Sequence, residues 1–526
     1  MLDNEKIIIQ TKIKSGIEYF KQKDFKKSEK QFKEIIEIDS NEIISNFYLG
    51  AISFEKNELD KSKTYLFKVI SVDEYHRDAN LMIGSIFYKV QNFKEAKFFF
   101  EKIYKRNTKD IDALNKLSLA LIQLKEFQHA EQILHESIKL KPNSFNTFNN
   151  LGFLYLKMEK TKECIKYYSK ALEINKNNPI TYTNLGTAYY RIADFQNSEK
   201  IFENGLKYYP KNDYILHAYS HLQLSRCDLN KGFIGWESRK KISNHKSSFG
   251  NKTKEWQGES LDNKVICIIS EGGNGDMLHY FRYLYLINKK YSTKIIFVTK
   301  KNLAHIFKNS HFDIIAEGDK TPSFDYFQYL ISLPGIFYKL DKEFAKNVNF
   351  IKTNNKSLEK WKIQLNTIKG PKIGLNWQGG QYYPRDYMRS IPLKSFEKIF
   401  ENNDLKFVSL VKGYGSEQIE KFKYKDRIID FSQKIDLGEN SYDDTIGIIH
   451  NLDLIISVDT SVAHLAGTME TKTWLLLDVS SDWRWGINEK VFKWYQNTTI
   501  FRQTKFLDWT NVIDEVSRKL KLELVN

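Results

Sequence analysis

The sequence predicts an α + α/β chain, in which a stack of paired helices precedes two parallel sheets wound with helices on both faces. Three observations carry that reading. Residues 9 to 212 repeat with a fixed period of 34, β and α patterns alternate from residue 265 onward, and Leu452 to Leu477 reads as strand, turn, short helix and strand. The chain is 526 residues long with 41% hydrophobic and 14% aromatic content, enough for several packed domains.

The period shows as four columns. Gly16, Gly50, Gly84, Ser118, Gly152 and Gly186 form a small column, and Ser28, Ser62, Ala96, Ala130, Cys164 and Ser198 form a second one twelve residues on. Phe25, Leu59, Phe93, Phe127, Thr161 and Phe195 make a third column, and Phe32, Leu66, Phe100, Leu134, Tyr168 and Phe202 a fourth. Small residues at facing points let two helices approach while the large ones fill the gap, the recipe of a helix-turn-helix stack. A seventh, atypical pair from Asp213 to about Arg239 is expected to cap the stack, with Trp236 plugging its end. Such a stack offers a groove for a protein or peptide partner, or serves as a rigid spacer or dimerisation surface, and these readings stay open.

The polar stretch from Lys240 to Lys264, with Ser243, Asn244, Ser247, Ser248, Gly250 and Gly258, is the expected linker. A first α/β half follows over 265–346, with strands at Val265–Ser270, Lys294–Val298 and Phe312–Ala316 and a helix over Asp276–Lys290. Residues 347–370 read as a helical bridge, and 371–526 as a second α/β half. Its strands are expected near Lys372–Trp377, Leu405–Val411, Arg427–Phe431, Leu452–Val458 and Thr473–Leu477. The closing helix, about Trp509 to Leu522, turns Val512, Ile513, Val516 and Leu520 to one side. Two such sheets in tandem place the carboxyl ends of their strands across a cleft.

Three loops at those ends could carry chemistry. Glu271-Gly272-Gly273-Asn274-Gly275-Asp276 is a glycine turn entering a helix, in which Gly273 and Gly275 permit close backbone approach and Asp276 is either a helix cap or a base. Gly379 to Ser390 holds Arg385, Asp386 and Arg389, arginines able to clamp a diphosphate or merely solvated. At Ser457-Val458-Asp459-Thr460-Ser461-Val462-Ala463-His464, each of Asp459, Thr460 and Ser461 can cap the helix, and His464 lies one turn in.

These motifs resemble known families. The repeats look like tetratricopeptide repeats, best in Asn150-Leu151-Gly152-Phe153-Leu154-Tyr155 and Asn184-Leu185-Gly186-Thr187-Ala188-Tyr189. Residues 256 to 503 look like the heptosyltransferase-type (glycosyltransferase family 9) group of GT-B enzymes, two Rossmann-like halves. The resemblance rests on five segments in order: Glu271 to Asp276, Arg385 to Leu393, Phe407 to Gly413, Ser457 to Gly467 and Asp482-Trp483-Arg484-Trp485. The chain departs from the family at Gly272, where Gln is usual, at Asp478, where Pro is usual, and at Thr471-Lys472-Thr473, in place of Gly-Lys-Pro.

The resemblance implies an inverting transfer of a sugar from a nucleotide-diphosphate sugar to a glycan or protein acceptor. Asp276 would be the general base, Arg389 would face the donor phosphates, Asp459, Thr460, Ser461 and His464 would lie against the diphosphate, and Glu417 would reach the ribose. A helix N-terminus and an arginine would neutralise the leaving diphosphate, so no metal is obligatory and no cofactor beyond the sugar nucleotide is expected. Two alternatives stay open: an enzyme similar to the O-linked N-acetylglucosamine transferases, and a repeat scaffold carrying a degenerate GT-B half.

The remaining features bound the partners. The net charge of +16 is spread along the chain, with no zinc knuckle, RNP-like motif or dense Arg cluster, which argues against nucleic acid and is compatible with peripheral contact to an anionic membrane. No apolar run spans a membrane and the N-terminus lacks signal-peptide order, which predicts a cytoplasmic protein. Cys164, Cys227 and Cys267 read as buried thiols, and Asp110-Ile111-Asp112, among the repeats, is not a metal site.

Overall fold

The computed structural model describes residues 2–243, 254–352, 354–401, 405–487 and 494–525. They fall into two compact units, Met1–Thr181 and Tyr182–Asn526.

The first unit is built of helix pairs: α1 (Leu2–Lys21) with α2 (Phe25–Ile38), α3 (Ile43–Glu55) with α4 (Leu59–Val72), and α5 (Arg77–Lys89) with α6 (Phe93–Arg106). Then come α7 (Ile111–Gln123) with α8 (Phe127–Leu140) and α9 (Phe145–Lys157) with α10 (Thr161–Ile174). The four columns explain one another. A Cβ at Gly16 would lie 2.7 Å from the Phe32 ring, one at Gly84 2.5 Å from Phe100, and one at Gly152 2.6 Å from Tyr168. The first column is therefore small because the fourth is large. The serines of the second column hydrogen-bond the first: Ser28 Oγ donates to Gly16 O at 2.8 Å and Ser62 Oγ to Gly50 O at 2.7 Å.

A fifth column escapes the sequence. Lys23, Asn57, Gln91, Lys125, Glu159, Ala193 and Cys227, each 34 residues after the last, all have φ between 60° and 67°. Each ends a first helix in the left-handed region, and the next N–H returns to a carbonyl five residues back, as Asp24 does to Tyr19 and Glu126 to Leu121. A left-handed conformation costs an L-residue roughly 1–2 kcal/mol, part of which glycine's freer unfolded chain gives back. Lys23→Gly and Lys125→Gly are each expected to raise stability by about 0.5–1 kcal/mol. A lower urea midpoint of the helical signal in either variant would show that the lysine contributes more than its backbone costs.

The Asp-x-Asp is an ion-pair cluster. Arg77 binds Asp110 at 2.5 Å and Asp112 at 3.0 Å, while Asp110 also accepts from the Ala113 N–H of α7.

In the second unit, α11 (Pro179–Arg191, entered from the first) with α12 (Phe195–Tyr208), and α13 (Asp213–Ser225) with α14 (Leu229–Trp236), precede the short α15 (Arg239–Ile242). The α13–α14 pair does not form a solvent-facing cap independent of the α/β part. Leu224, Leu229, Phe233 and Trp236 belong to one core with Trp256, Ile266 and Trp483. Trp236 packs on His217 and His221 and lies 6.0 Å from Trp483, edge to face. The compact units therefore divide at 181/182, not at the expected 239.

The linker expectation also changes. Asn244, Ser247, Ser248 and Gly250 lie outside the described residues. From Lys254 the chain is part of the fold: β1 (Lys254–Glu255) pairs with a later strand, and Trp256 is fully buried against Tyr291 and Phe337.

The first sheet adds β2 (Val265–Ile269), β3 (Lys294–Thr299), β4 (Asp313–Ala316) and β5 (Tyr326–Tyr329), all parallel in the order β1-β5-β2-β3-β4. Its helices are α16 (Asn274–Tyr280), α17 (Arg282–Lys290), α18 (Ala304–Phe307) and α19 (Leu333–Asp341). The helix expected over 276–290 is broken at Phe281, where Leu284 N–H bonds Phe281 O and Arg282 Nε takes the His279 carbonyl at 2.7 Å. The bridge forms α20 (Asn355–Leu365), whose Trp361 donates to Asp444 Oδ1 at 2.8 Å.

The second sheet holds β6 (Ile373–Asn376), β7 (Phe407–Ser409), β8 (Ile428–Ile429), β9 (Leu454–Val458), β10 (Thr473–Leu477) and β11 (Thr498–Arg502), parallel in the order β11-β10-β9-β6-β7-β8. Its helices are α21 (Asp386–Arg389), α22 (Glu397–Glu401), α23 (Asp443–His450), α24 (Ser461–Thr468) and α25 (Thr510–Leu520). That order reverses between β9 and β6, and the crevice at a reversal, beyond the strand carboxyl ends, is where such sheets bind ligands. Val512, Ile513, Val516 and Leu520 of α25 are buried in the sheet's core. Among the described residues no helix is long and apolar enough to cross a membrane. Cys164 and Cys267 are buried and Cys227 half-buried, and burial pushes the Cys267 thiol up to about 12.

Candidate functional site

Strand order brings four loops together: the glycine turn after β2, the arginine loop after β6, the Asp459 turn after β9 and the Asp482 segment after β10. At the switch point Asn376 and Ser457 are register partners on β6 and β9, and Asn376 Nδ2 donates to Ser457 Oγ at 3.0 Å and Thr460 Oγ1 at 2.9 Å.

That bond corrects the capping expectation. Thr460 is the N-cap of α24, but its side chain makes no capping bond, and Ser461 Oγ accepts from the Tyr442 hydroxyl at 2.8 Å. Asp276 is likewise not an N-cap. Gly273 takes that place, and Asp276, three residues on, reaches back to accept Gly273 N–H at 2.7 Å. Gly272 has φ 81° and a Cβ there would meet Asp276 Oδ2 at 2.5 Å, so the departure to glycine suits this backbone.

Gly275 serves packing rather than ligand approach. A Cβ there would fall 2.8 Å from His464 Cδ2, so its absence lets α16 lie against α24. A Cβ at Gly273 would stand 3.5 Å from Asp276 Oδ2.

The carboxylate of Asp276 faces the second half of the α/β region, where Arg484 Nη1 stands 2.6 Å from its Oδ1. Arg484 lies in the 3-10 turn Trp483–Trp485, and its three residues face three ways: Trp483 toward Phe233 and Trp236, Arg484 toward Asp276, and Trp485 onto the His464 ring at 5.4 Å. Asp482 holds Arg484 from behind, accepting Nε and the backbone N–H, each at 3.0 Å. Arg484 was legible only as part of the Asp482-Trp483-Arg484-Trp485 motif, where an arginine between two tryptophans signals a buried charge.

Arg389 is set by its own loop. Asp386 Oδ1 holds its Nε at 3.0 Å, Nη1 donates to Asp459 O at 2.8 Å, and the guanidinium lies over Tyr383 at 4.2 Å. A Cβ at Gly379 would fall on Asp386 Oδ1 and Arg389 Nε, so glycine is required there. Arg385 bonds the Ser480 carbonyl and lies 3.7 Å from Asp478, whose carboxylate caps Ser480 N–H at 2.8 Å. The departure at Asp478 thus has a structural use.

Burial sets the charge states. His464 is held well below its usual pKa by burial and by Arg484, Arg282 and Arg389, so it is neutral; its Nε2 is 3.8 Å from Asp459 Oδ1. His279, also buried and neutral, shares the Tyr495 hydroxyl with it, each Nδ1 at 3.0 Å. A hydroxyl has one proton to give, so at most one of the two Nδ1 atoms accepts it and at least one donates to the oxygen. Glu417 is exposed in the 3-10 helix Ser416–Lys421 and accepts Gly415 N–H at 2.7 Å. Glu271, the other carboxylate of the glycine turn, is committed to Arg239, whose Nη2 lies 2.5 Å from Oε1 and Nε 3.4 Å from Oε2.

The Asp459 carboxyl is raised to about 6, by burial first, against the pull of Arg484 and Arg389. An unfolded aspartate ionises near 3.8, so this site contributes its full stability below that pH, loses it as pH rises to about 6, and changes little above. Asp459→Asn should therefore gain on the parent by about 1–3 kcal/mol between pH 4 and pH 7. Parallel melting-temperature profiles for the two proteins would refute it.

Comparison with known proteins bears on the repeats. The family described as Tetratricopeptide repeat matches residues 145–178 and, in further copies, 78–110, 111–144 and 180–212. Residues 78–212 are tetratricopeptide repeats. Similar solved structures include a tetratricopeptide repeat protein from Parabacteroides merdae, at 13% identity over 46% of this chain and 94% of that one, with a TM-score of 0.41. Another is MamA, at 21% identity over 32% and 92%, with a TM-score of 0.30. A third is YrrB, described as a TPR protein with an unusual peptide-binding site, at 20% identity over 36% and 97%, with a TM-score of 0.28. No curated protein matches the chain.

Proposed function

We propose that the α/β part of this tetratricopeptide-repeat protein is an inverting GT-B glycosyltransferase and that its repeats recruit the acceptor or a protein partner. The observation that carries the reading is the meeting of Asp276, from the turn after β2, with Arg484, Arg389 and the N-terminus of α24 at the switch point of the second sheet. In this reading the acceptor oxygen attacks the anomeric carbon as its proton passes to the Asp276 carboxylate. The bond from that carbon to the diphosphate breaks with its electron pair on the phosphate oxygen, and Arg389, Arg484 and the α24 N–H groups face the charge that leaves. Glu417, which is exposed, is assigned to the ribose by the resemblance alone.

A thermal-shift screen of nucleoside diphosphates and sugar nucleotides tests the reading, because a ligand at a hundred times its dissociation constant stabilises by about 2.7 kcal/mol. Stabilisation by one base and not the others is expected, and Arg389→Ala should weaken that binding by about 1.5–3 kcal/mol. A screen without any shift would favour the second reading, a repeat scaffold, in which the Asp276–Arg484 pair is structural.

A further inference from the structure

Both oxygens of Asp276 are engaged. Oδ2 accepts the Gly273 N–H at 2.7 Å, and Oδ1 is paired with Arg484 at 2.6 Å. A carboxylate whose two oxygens are both engaged must give up one of those bonds before that oxygen can meet an acceptor hydroxyl. The guanidinium, 10% exposed, has a second anchor in Asp482 and rests over the Tyr280 ring at 5.6 Å. The next residue, Trp485, lies on the His464 ring of α24, and the Arg484 charge pulls against the burial that raises Asp459, ahead of that helix. Arg484 therefore stands between the carboxylate that is to accept a proton and the place where the donor's diphosphate is to lie.

We propose that Arg484 is a donor-sensing latch, which holds Asp276 until a nucleoside diphosphate competes for the guanidinium, turns it about its Asp482 anchor and frees Asp276 Oδ1 for the acceptor hydroxyl. The proposal rests on the glycosyl-transfer reading and adds an order to it. An acceptor that arrives first meets a carboxylate whose oxygens are both taken, whereas a seated donor unmasks the base beside its own anomeric carbon. Asp482 keeps the guanidinium near by, since its oxygen accepts both Nε and the backbone N–H of Arg484. Arg484 thus touches the donor phosphates in the loaded state, and Asp482 is a positioning residue.

The test is a competition between two anions for one cation. UDP, GDP, ADP and CDP are titrated by calorimetry into the parent, Asp276→Asn, Arg484→Met and the double variant of the full chain. Removing the Asp276 charge should tighten the preferred nucleotide about tenfold, the size of one charge-assisted hydrogen bond. Arg484→Met should weaken it by at least as much, and the double variant should bind no better than Arg484→Met alone. Arg484→Lys, which keeps the charge should the methionine variant fail to fold, should fall between parent and Arg484→Met. Equal affinity in the parent and Asp276→Asn would overturn the latch while leaving the glycosyltransferase reading intact. Failure of the parent to bind any of the four would overturn both. A merely structural ion pair would shift melting temperature in both single variants without moving nucleotide affinity in opposite directions.

Discussion

Asp276→Asn is expected to keep the fold and to lower the rate of sugar transfer by about 10² to 10⁴, with nucleotide affinity no weaker than the parent's. An acceptor hydroxyl is a poor nucleophile until its proton is taken, and asparagine cannot take it. The structural account of the same residue makes a different forecast. As the third residue of α16, an asparagine still offers its carbonyl oxygen to the Gly273 N–H, and Arg484 still has Asp482. On that account the variant melts slightly lower and turns over normally. Glu271 is no substitute base, because both its oxygens face Arg239. Parental turnover by Asp276→Asn would therefore remove the base from this turn altogether.

The second large effect is on stability. Arg239→Ala should destabilise the second unit by about 3–5 kcal/mol, the cost of removing one partner of a buried ion pair. Arg239 is 11% and Glu271 9% exposed, and the guanidinium also bonds Glu237, the Trp236 carbonyl and Ser332. Its removal takes away the cation that both oxygens of Glu271 face, at the start of the turn that carries Asp276. The measurement is chemical unfolding of the parent and variant, and a loss under 1 kcal/mol would mean that water reaches Glu271 readily. Arg239→Lys should recover part of the loss, since one ammonium can face one oxygen of a carboxylate but cannot span two.

Much of this fold is legible in the residues because it rests on local patterns. The glycine and phenylalanine columns follow from one contact repeated along the array, and β9, α24 and β10 follow from an apolar run, a turn and another apolar run. What escaped depends on partners far along the chain or on backbone alone. The left-handed turns at Lys23 through Cys227 carry seven residues of six types, so no composition marks them. β1 has two residues and exists through its pairing with β5, some seventy positions on. Arg484 and Asp276 are 208 residues apart, and the packing of α16 on α24 helps to bring their neighbourhoods together. The start of α16 was misplaced by two residues because an aspartate after glycines looks like a cap, although Gly273 needs no side chain to begin the helix.

The three residues of the Trp483–Trp485 turn set a rule for anyone who would exchange recognition arrays between proteins of this design. Trp483 is part of the surface on which α14 rests, Ile487 N–H bonds Ser225 O of α13, and the Tyr190 hydroxyl of α11 bonds Ser481 O. A graft cut at residue 239 would supply this turn with a foreign floor and would be read out as lost chemistry, whatever its repeats could hold. A chimera that keeps α11 to α14 with their own α/β part, and replaces only what precedes residue 179, leaves every one of those seams unopened.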